Sequence, residues 1–187
     1  MTKVNPTGTG SFSLNRKTNT TVGTNSFAEG YKTTASGNYS HAEGIETVAS
    51  GNQSHAEGGE TTASGGYSHA EGFSSSASGE VSHAEGSGAA SGHYSHAEGY
   101  GTQTFGDFSH AEGEGTIAFG ASQHVQGKYN IIEDANNTYA HVVGNGNYST
   151  RSNAHTLDWD GNAWYAGTLT ATAVYGAVWN DYAEYRQ

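Results

Sequence analysis

Histidine and glutamate recur two residues apart through most of the chain, and this pairing carries more potential chemistry than any other pattern in the sequence. The pentapeptide Ser-His-Ala-Glu-Gly occurs six times, beginning at positions 40, 54, 68, 82, 95 and 109. Imidazoles and carboxylates are ligands of zinc, and they also hydrogen-bond to each other. The twelve residues of this His/Glu ladder are His41, Glu43, His55, Glu57, His69, Glu71, His83, Glu85, His96, Glu98, His110 and Glu112.

The charge balance of the same region favours paired side chains over metal sites. Residues 33–127 contain eleven Asp and Glu residues and no Lys or Arg, so histidine is the only available counter-charge. Stacked carboxylates repel one another unless a partner neutralises them. A metal site is also rarely repeated six times unchanged. We therefore predict a structural ladder in which many histidines have raised pKa values, with no metal and no cofactor.

The ladder is part of a repeat of fourteen residues. The histidines at the repeat position, from 41 to 141, are spaced by 14, 14, 14, 13, 14, 14 and 17 residues, and an Ala-Ser-Gly motif lies halfway round, first at 35–37. Two glycines per unit predict two turns with positive φ. Two short strands remain, which make one coil of a β-solenoid. Because side chains alternate along a strand, His and Glu share the outer face, and Ser and Ala face the interior.

Composition narrows the remaining classes of protein. The chain has 187 residues, 28 of them Gly and none Cys, and a formal net charge of −11. No disulfide or thiolate metal site is possible, and the acidic balance argues against nucleic acid. No apolar run reaches the ~20 residues of a membrane span, and the first ten residues do not resemble a signal peptide. An alanine interior buries little apolar area, so we expect other copies of the chain to cover the His/Glu face.

From Ser26 to Gly144 the repeat resembles the head domain of trimeric autotransporter adhesins, with the family's small residues and glycines in matching positions. The resemblance implies a left-handed parallel β-roll that forms a homotrimer. His and Glu replace two apolar residues that face the trimer interior in that family, which places the ladder near the threefold axis. Phe27 in the His position, and Gln126 and Val143 in the Glu position, would then close the axis as plugs. Alternatively, these departures from His and Glu reflect ordinary decay of the repeat.

The C-terminal part carries a second resemblance. Residues 151–167 are similar to a module of phage tail-fibre and appendage proteins, and Asp160-Gly161 predicts a hairpin with a type I′ turn. Residues 167–171 resemble the start of a triple-stranded stalk, and residues 181–185 resemble the opening of a self-cleaving intramolecular-chaperone domain. We predict an N-terminal attachment or capping segment over 1–25, a roll over 26–146, and the hairpin and stalk over 147–187.

These resemblances imply a structural and adhesive protein rather than an enzyme. The leading expectation is a segment of a phage tail fibre or appendage, located on the virion, that contacts other tail proteins and a glycan or protein of the host surface. The alternatives are the head of a bacterial surface adhesin, or a fragment of a fibre that cleaves itself beyond this chain. Ser152, His155 and Asp158 have the residue types of a catalytic triad, but they lie too close in sequence for their side chains to converge readily.

Aromatic residues two positions before the ladder histidine form another row. They would pack between neighbouring rolls, or alternatively form an exposed array that binds sugars. The row consists of Tyr39, Tyr67, Tyr94 and Phe108.

Overall fold

The computed structural model describes residues 10–14, 17, 20–132, 137–168 and 170, and every regular element in them is a β-strand. In chain order the strands are β1 (Phe12–Leu14), β2 (Phe27–Tyr31), β3 (Thr34–Ala35), β4 (His41–Ile45), β5 (Val48–Ala49), β6 (His55–Gly59), β7 (Thr62–Ala63), β8 (His69–Ala70), β9 (Ser76–Ala77), β10 (His83–Ala84), β11 (Ser87–Ala90), β12 (His96–Thr104), β13 (His110–Glu114), β14 (Ile117–Ala118), β15 (His124–Lys128), β16 (Tyr139–Asn145), β17 (Asn153–Asp158) and β18 (Ala163–Tyr165). These residues include no helix that could cross a membrane.

Each repeat makes one coil with two strands, and equivalent residues of successive coils pair in parallel. His41 pairs with His55 and Glu43 with Glu57 on the first strand of the coil. On the second strand, Val48 pairs with Thr62. The all-β parallel solenoid predicted from the fourteen-residue period is therefore confirmed.

The interior of the solenoid is made of small side chains. Ala42 and Ala49, one from each strand, are fully buried, and the same holds for their equivalents along the roll. Serine adds a buried row: the Ser40 hydroxyl donates to the Gly37 carbonyl at 2.7 Å, and the contact repeats in later coils. A row that includes Thr47 is also fully buried, although the sequence alone placed only serine and alanine in the interior.

The two glycines of each unit have different physical roles, which corrects the prediction that both need positive φ. Gly44, at the end of the first strand, does have a left-handed φ of 108°. Gly51 does not, but a Cβ there would collide with the carbonyl oxygen of Gly65 in the next coil. The left-handed corner beside this second glycine falls instead on Gln53, with φ of 57°. Close stacking of backbones thus explains the second glycine.

The irregular thirteen-residue unit is absorbed at a corner. The pairing of β11 with β12 shifts register between Ser87 and Ala89, after which Ala90 is again opposite Thr104. The missing residue is the one that follows Ser87, at the corner between the two strands. The strands on both sides keep the regular pairing, as expected for a deletion in a turn.

Both ends of the roll differ from its middle. At the start, β1 pairs in parallel with β2, so the sheet already includes part of the segment predicted to serve attachment or capping. At the other end, β16 pairs in parallel with β15 but antiparallel with β17. The stalk and chaperone resemblances fall almost entirely outside the described residues.

The predicted hairpin is confirmed in β17 and β18, which pair antiparallel. Its turn is not type I′, because Asp160 lacks the positive φ that this type requires. The backbone N–H of Gly161 donates to the Asp158 carbonyl, and that of Asp158 donates to the Asn162 carbonyl. Only Gly161 is left-handed, with φ of 87°. This is a three-residue connection, and the Asp158 carboxylate organises it by accepting hydrogen bonds from Asn162.

Candidate functional site: the histidine–glutamate face

The first strands place the ladder histidines in one column and the glutamates in another, two residues along. Parallel in-register pairing stacks the His55 and His69 rings with centroids 4.8 Å apart and planes inclined by 1°. From His41 to His124 all consecutive rings stack at 4.7–4.9 Å with inclinations of at most 4°. About a third of each side chain remains exposed in the single chain, for instance 34% of His69 and 34% of Glu57.

From His55 to His124, each histidine of the column contacts the glutamate of the preceding coil rather than that of its own strand. The shortest of these contacts joins His83 Nε2 and Glu71 Oε1 at 3.3 Å, which is a hydrogen bond. The other pairs are separated by 3.4–3.8 Å. Consequently, Nε2 of His55, His69, His96 and others is shielded from solvent without a hydrogen-bond partner within the described chain. Inside one chain, His and Glu therefore contact each other on a diagonal between coils, whereas their pairing across a threefold axis stays a prediction.

The glutamate column shares protons. Hydrogen bonding to the Glu98 carboxylate, followed by burial and by the Glu71 carboxylate, raises the pKa of Glu85 to about 7. The hydrogen bond from Glu85 holds the pKa of Glu98 below its usual range. Burial acts to raise the pKa of Glu71, but hydrogen bonds with Glu85 and His83 outweigh burial and lower it. Below about pH 7, a protonated Glu85 would therefore lie between two carboxylates that ionise more readily.

The predicted rise in histidine pKa is wrong at His96. Burial lowers the pKa of His96, and the stacked His83 and His110 lower it further, since neighbouring imidazolium charges would repel. The carboxylates of Glu98 and Glu71 act in the opposite direction without overcoming these effects. Burial also lowers the pKa of His141. The sequence pattern showed the carboxylates but not the close contact between the rings.

The stacked rings are poorly arranged to hold one metal ion between successive coils. Groups such as His69, Glu71 and His83 bring one potential ligand atom each to within 4.8 Å. However, the nearly parallel rings of His69 and His83 direct equivalent nitrogens the same way, and the rings are 4.8 Å apart. Zinc bonds of about 2.1 Å require two nitrogens no more than about 4.2 Å apart. Within one chain, an ion could therefore be bound by one histidine and its diagonal glutamate, but not by two stacked histidines at once.

The column continues past the ladder at both ends. At the start the Phe12 and Phe27 rings stack at 5.3 Å, and Phe27 meets His41 edge-on. At the end His141 is followed by His155, which contacts Tyr165 with ring centroids 4.5 Å apart. Phe12 and Tyr165 were not anticipated, although Ser11-Phe12 repeats the Ser26-Phe27 pair and could have signalled the additional coil.

The proposed plugs occupy the positions expected from the repeat. Phe27 is paired with His41 in the histidine column. Gln126 and Val143 are opposite each other in the glutamate column, and the Gln126 amide contacts His141 at 3.2 Å. Whether they close a trimer axis stays a prediction.

Exposed apolar residues flank the His/Glu face on both sides. Tyr39, Tyr67, Tyr94 and Phe108 are 55–62% exposed at the left-handed corner before the first strand. Of these, Tyr94 and Phe108 stack at 5.1 Å, whereas Gln53 and Val81 interrupt the row. A second row at the other end of the strand comprises Tyr31, Ile45, Phe73 and Tyr100, which are 57–70% exposed. Two rows of exposed apolar side chains thus border the histidine and glutamate columns.

Ser152, His155 and Asp158 do not form a catalytic triad. The Ser152 hydroxyl donates to Asn145, His155 is held between rings, and the Asp158 carboxylate accepts from the hairpin turn. These separate partners provide no nucleophile–base contact.

The parallel solenoid with two strands per coil and a polar His/Glu face defines the class of protein as a β-roll. Residues 22–40, 42–68 and 105–122, about a third of the chain, match the model of the YadA head domain repeat. Over these residues the chain is therefore similar to the YadA head repeat, which is the repeat of a structural adhesin head. No curated protein and no solved structure gives a significant match to the chain.

Proposed function

We propose that this protein is a homotrimeric, surface-exposed adhesive head, in which three rolls meet through their His/Glu faces. Its role is structural: it holds a stiff rod away from a surface and presents it to a binding partner. The match to YadA head repeats supports this proposal. The repeat family is one of trimeric adhesins, and the apolar residues that face its trimer interior correspond to the ladder positions here.

The observation that carries the proposal is the unfinished state of the His/Glu face in a single chain. Apart from that of His83, the Nε2 atoms of the ladder histidines are shielded from water without a hydrogen bond in the described chain, which is costly for a polar group. The interior behind the face consists of alanine, serine and threonine, with little apolar area to stabilise one roll alone. A second copy would supply carboxylates to the imidazoles and cover the aromatic row from Tyr39 to Phe108, which is what a symmetric homo-oligomer does.

The comparison favours the bacterial surface adhesin over the phage fibre, since the matched repeat is named for an adhesin head. A phage tail fibre or appendage is the second candidate, and one observation favours it. The hairpin of β17 and β18 is present where the sequence resembles a tail-fibre module. Contacts with a host glycan or protein, or with other tail proteins, are part of these two proposals.

Oligomeric mass in solution tests the proposal directly. Light scattering on the full chain should give the mass of three chains of 19.4 kDa each. A folded, stable monomer would contradict it, because the burial argument requires other copies to complete the face. The two biological contexts are separated by the parent gene: a downstream chaperone domain supports the fibre, whereas a membrane anchor with an export signal supports the adhesin.

A further inference from the structure

One corner of the roll changes its character over three successive coils. The corner after the first strand carries Lys32, Glu46, Glu60 and Ser74 in earlier coils, all left-handed with φ of 56–58°. In the thirteen-residue coil this corner residue is missing, and in the next two coils it is Gly101 and Gly115. Three coils in a row therefore lack a side chain at a position that is otherwise filled.

A groove of about 530 Å³ opens at this place. Ser87, Gly101 and Gln103 form its floor, and Tyr100, which is 70% exposed, rises on one side. Tyr129 takes the corner position of the following coil, and its ring lies against Gly115, where any side chain would collide with it. The volume is within the range of small-ligand sites, and the walls combine aromatic rings with few polar groups.

Arg151 places a positive charge in the groove. Its Nη1 donates to the carbonyls of Gly115 and Asn130, at 2.9 and 3.1 Å, which fixes the side chain. Its guanidinium also lies over the Tyr129 ring, 5.7 Å from the centroid. Among the described residues no carboxylate lies within 4.0 Å of Arg151. The nearby Glu114 pairs with Lys128 at 2.8 Å instead.

An uncompensated arginine is unexpected in a chain of net charge −11. The planar guanidinium has five N–H donors, so donors beyond those of Nη1 remain for a ligand, and they suit an oxyanion. Tyr148 is 88% exposed at the groove and meets Tyr129 edge-on, with centroids 6.3 Å apart. A tyrosine ring offers an apolar face against which a sugar ring can pack, while the tyrosine hydroxyl stays in contact with water.

We propose that this groove, which we name the Arg151 groove, binds an acidic sugar residue of a surface polysaccharide. The pyranose would lie against Tyr100 and Tyr148, and its carboxylate would face Arg151. One carboxylate matches the one guanidinium that lines the groove. The inference deepens the proposed adhesive function and rests on it for its biological role, but the groove is built from residues of one chain. The aromatic row from Tyr39 to Phe108 has no cation of this kind.

Calorimetric titration of the full chain with tetragalacturonic acid tests the groove, with maltotetraose as the neutral probe. We expect binding of the acidic tetrasaccharide and binding at least about tenfold weaker of the neutral one, because a hydrogen bond to a charged group is worth about that factor. Failure of the acidic probe to bind, or equal binding of both probes, would overturn the proposal.

Substitution at the corner provides a variant with precedents in the roll, because Glu46 and Glu60 already have the left-handed φ that Gly101 adopts. Gly101→Glu introduces the residue found at the same corner in Glu46 and Glu60, and its Cβ has ordinary space, with Gly115 Cα at 3.9 Å. It would fill the groove and repel the carboxylate, so affinity should fall by about tenfold or more. Ser74→Glu makes the matched change at a corner outside the groove and should leave affinity unchanged. Equal affinity of the two variants would refute the site.

Arg151→Lys tests the arginine while keeping its charge. Lysine cannot present two parallel N–H donors to a carboxylate, so the preference for the acidic probe should decrease. Unchanged preference would count against contact with Arg151.

Light scattering of the same samples separates the two proposals. A trimer that binds neither sugar refutes only the groove, whereas a monomer refutes the proposed assembly whatever the titration gives.

Discussion

A carboxylate between two other carboxylates keeps its proton when hydrogen bonding to ionised neighbours outweighs its tendency to ionise. Glu85 is in this position between Glu71 and Glu98, and its pKa is raised to about 7 from an ordinary value of 4.5. Because the folded pKa exceeds the unfolded one, this group stabilises the fold fully below about pH 4.5. The stabilisation is lost as the pH rises to about 7.

Glu85→Gln should remove this pH dependence, since the amide stays neutral and can still donate to a neighbouring carboxylate. The melting temperatures of variant and native protein should agree near pH 4, and the variant should melt about 1–3 °C higher at pH 8. Glu60→Gln, at an exposed corner outside the column, should show no such change. A constant difference between variant and native protein from pH 4 to 8 would contradict proton sharing.

The diagonal contact between His83 and Glu71 can be tested separately from its neighbours. Glu71→Ile leaves His83 Nε2 shielded without its 3.3 Å partner, which should cost about 1 kcal/mol at this half-buried position. Adding His83→Val removes both polar groups and should recover most of the loss, since an apolar pair can replace a buried polar one. Chemical denaturation measures both changes. A double variant less stable than the single one would argue against pairing across coils.

At the level of the coil, the strands tolerate variation and the backbone spacing does not. Val48, Thr62 and Ser76 exchange freely on the outer face of the second strand, where they are opposite one another. The glycine that follows is different, because Gly51 lies directly against the backbone of Gly65. Substitution there would separate two coils along their whole width.

Gly51→Ala should therefore be strongly destabilising, by about 3 kcal/mol or more, because the clash is with backbone rather than with a flexible side chain. Ser50→Ala, at the exposed neighbouring position, should change stability by less than about 0.5 kcal/mol. Urea denaturation of the two variants compares them. Similar stability of both would mean that the coils can move apart at low cost.

The repeat predicts the coil well but not the contacts between columns. Period and alternation suffice for the strands, the Ala42 row and the corner deletion after Ser87, because each depends only on local spacing. The left-handed φ of Gln53 is not predictable in this way, since the residue type does not require it. The diagonal partner of His83 depends on how far coils are offset, and the pKa of His96 depends on ring contact. Neither quantity is encoded in a period of fourteen.

At the scale of the whole molecule, the roll presents two unlike outer surfaces. The His/Glu face has polar atoms that lack partners and is bordered by apolar rows. The second-strand face, represented by Thr62, carries short side chains on a flat surface. In the part of the chain that the structure describes, the His/Glu face has shielded Nε2 atoms without hydrogen bonds that another copy could complete, so threefold association should use this face.

Single cysteines can establish which face lies at the axis, because the chain contains no cysteine of its own. Glu85→Cys on the His/Glu face should join two chains when treated with a short thiol-to-thiol reagent, since three equivalent thiols would surround the axis. Thr62→Cys on the opposite strand should not, because its thiols would point away from the other rolls. Both products are read by mass under denaturing conditions, after light scattering has shown that each variant keeps the mass of the native protein. Efficient linkage through position 62 but not through position 85 would place the axis on the second-strand face, and the unpaired imidazoles would then have to be satisfied by water.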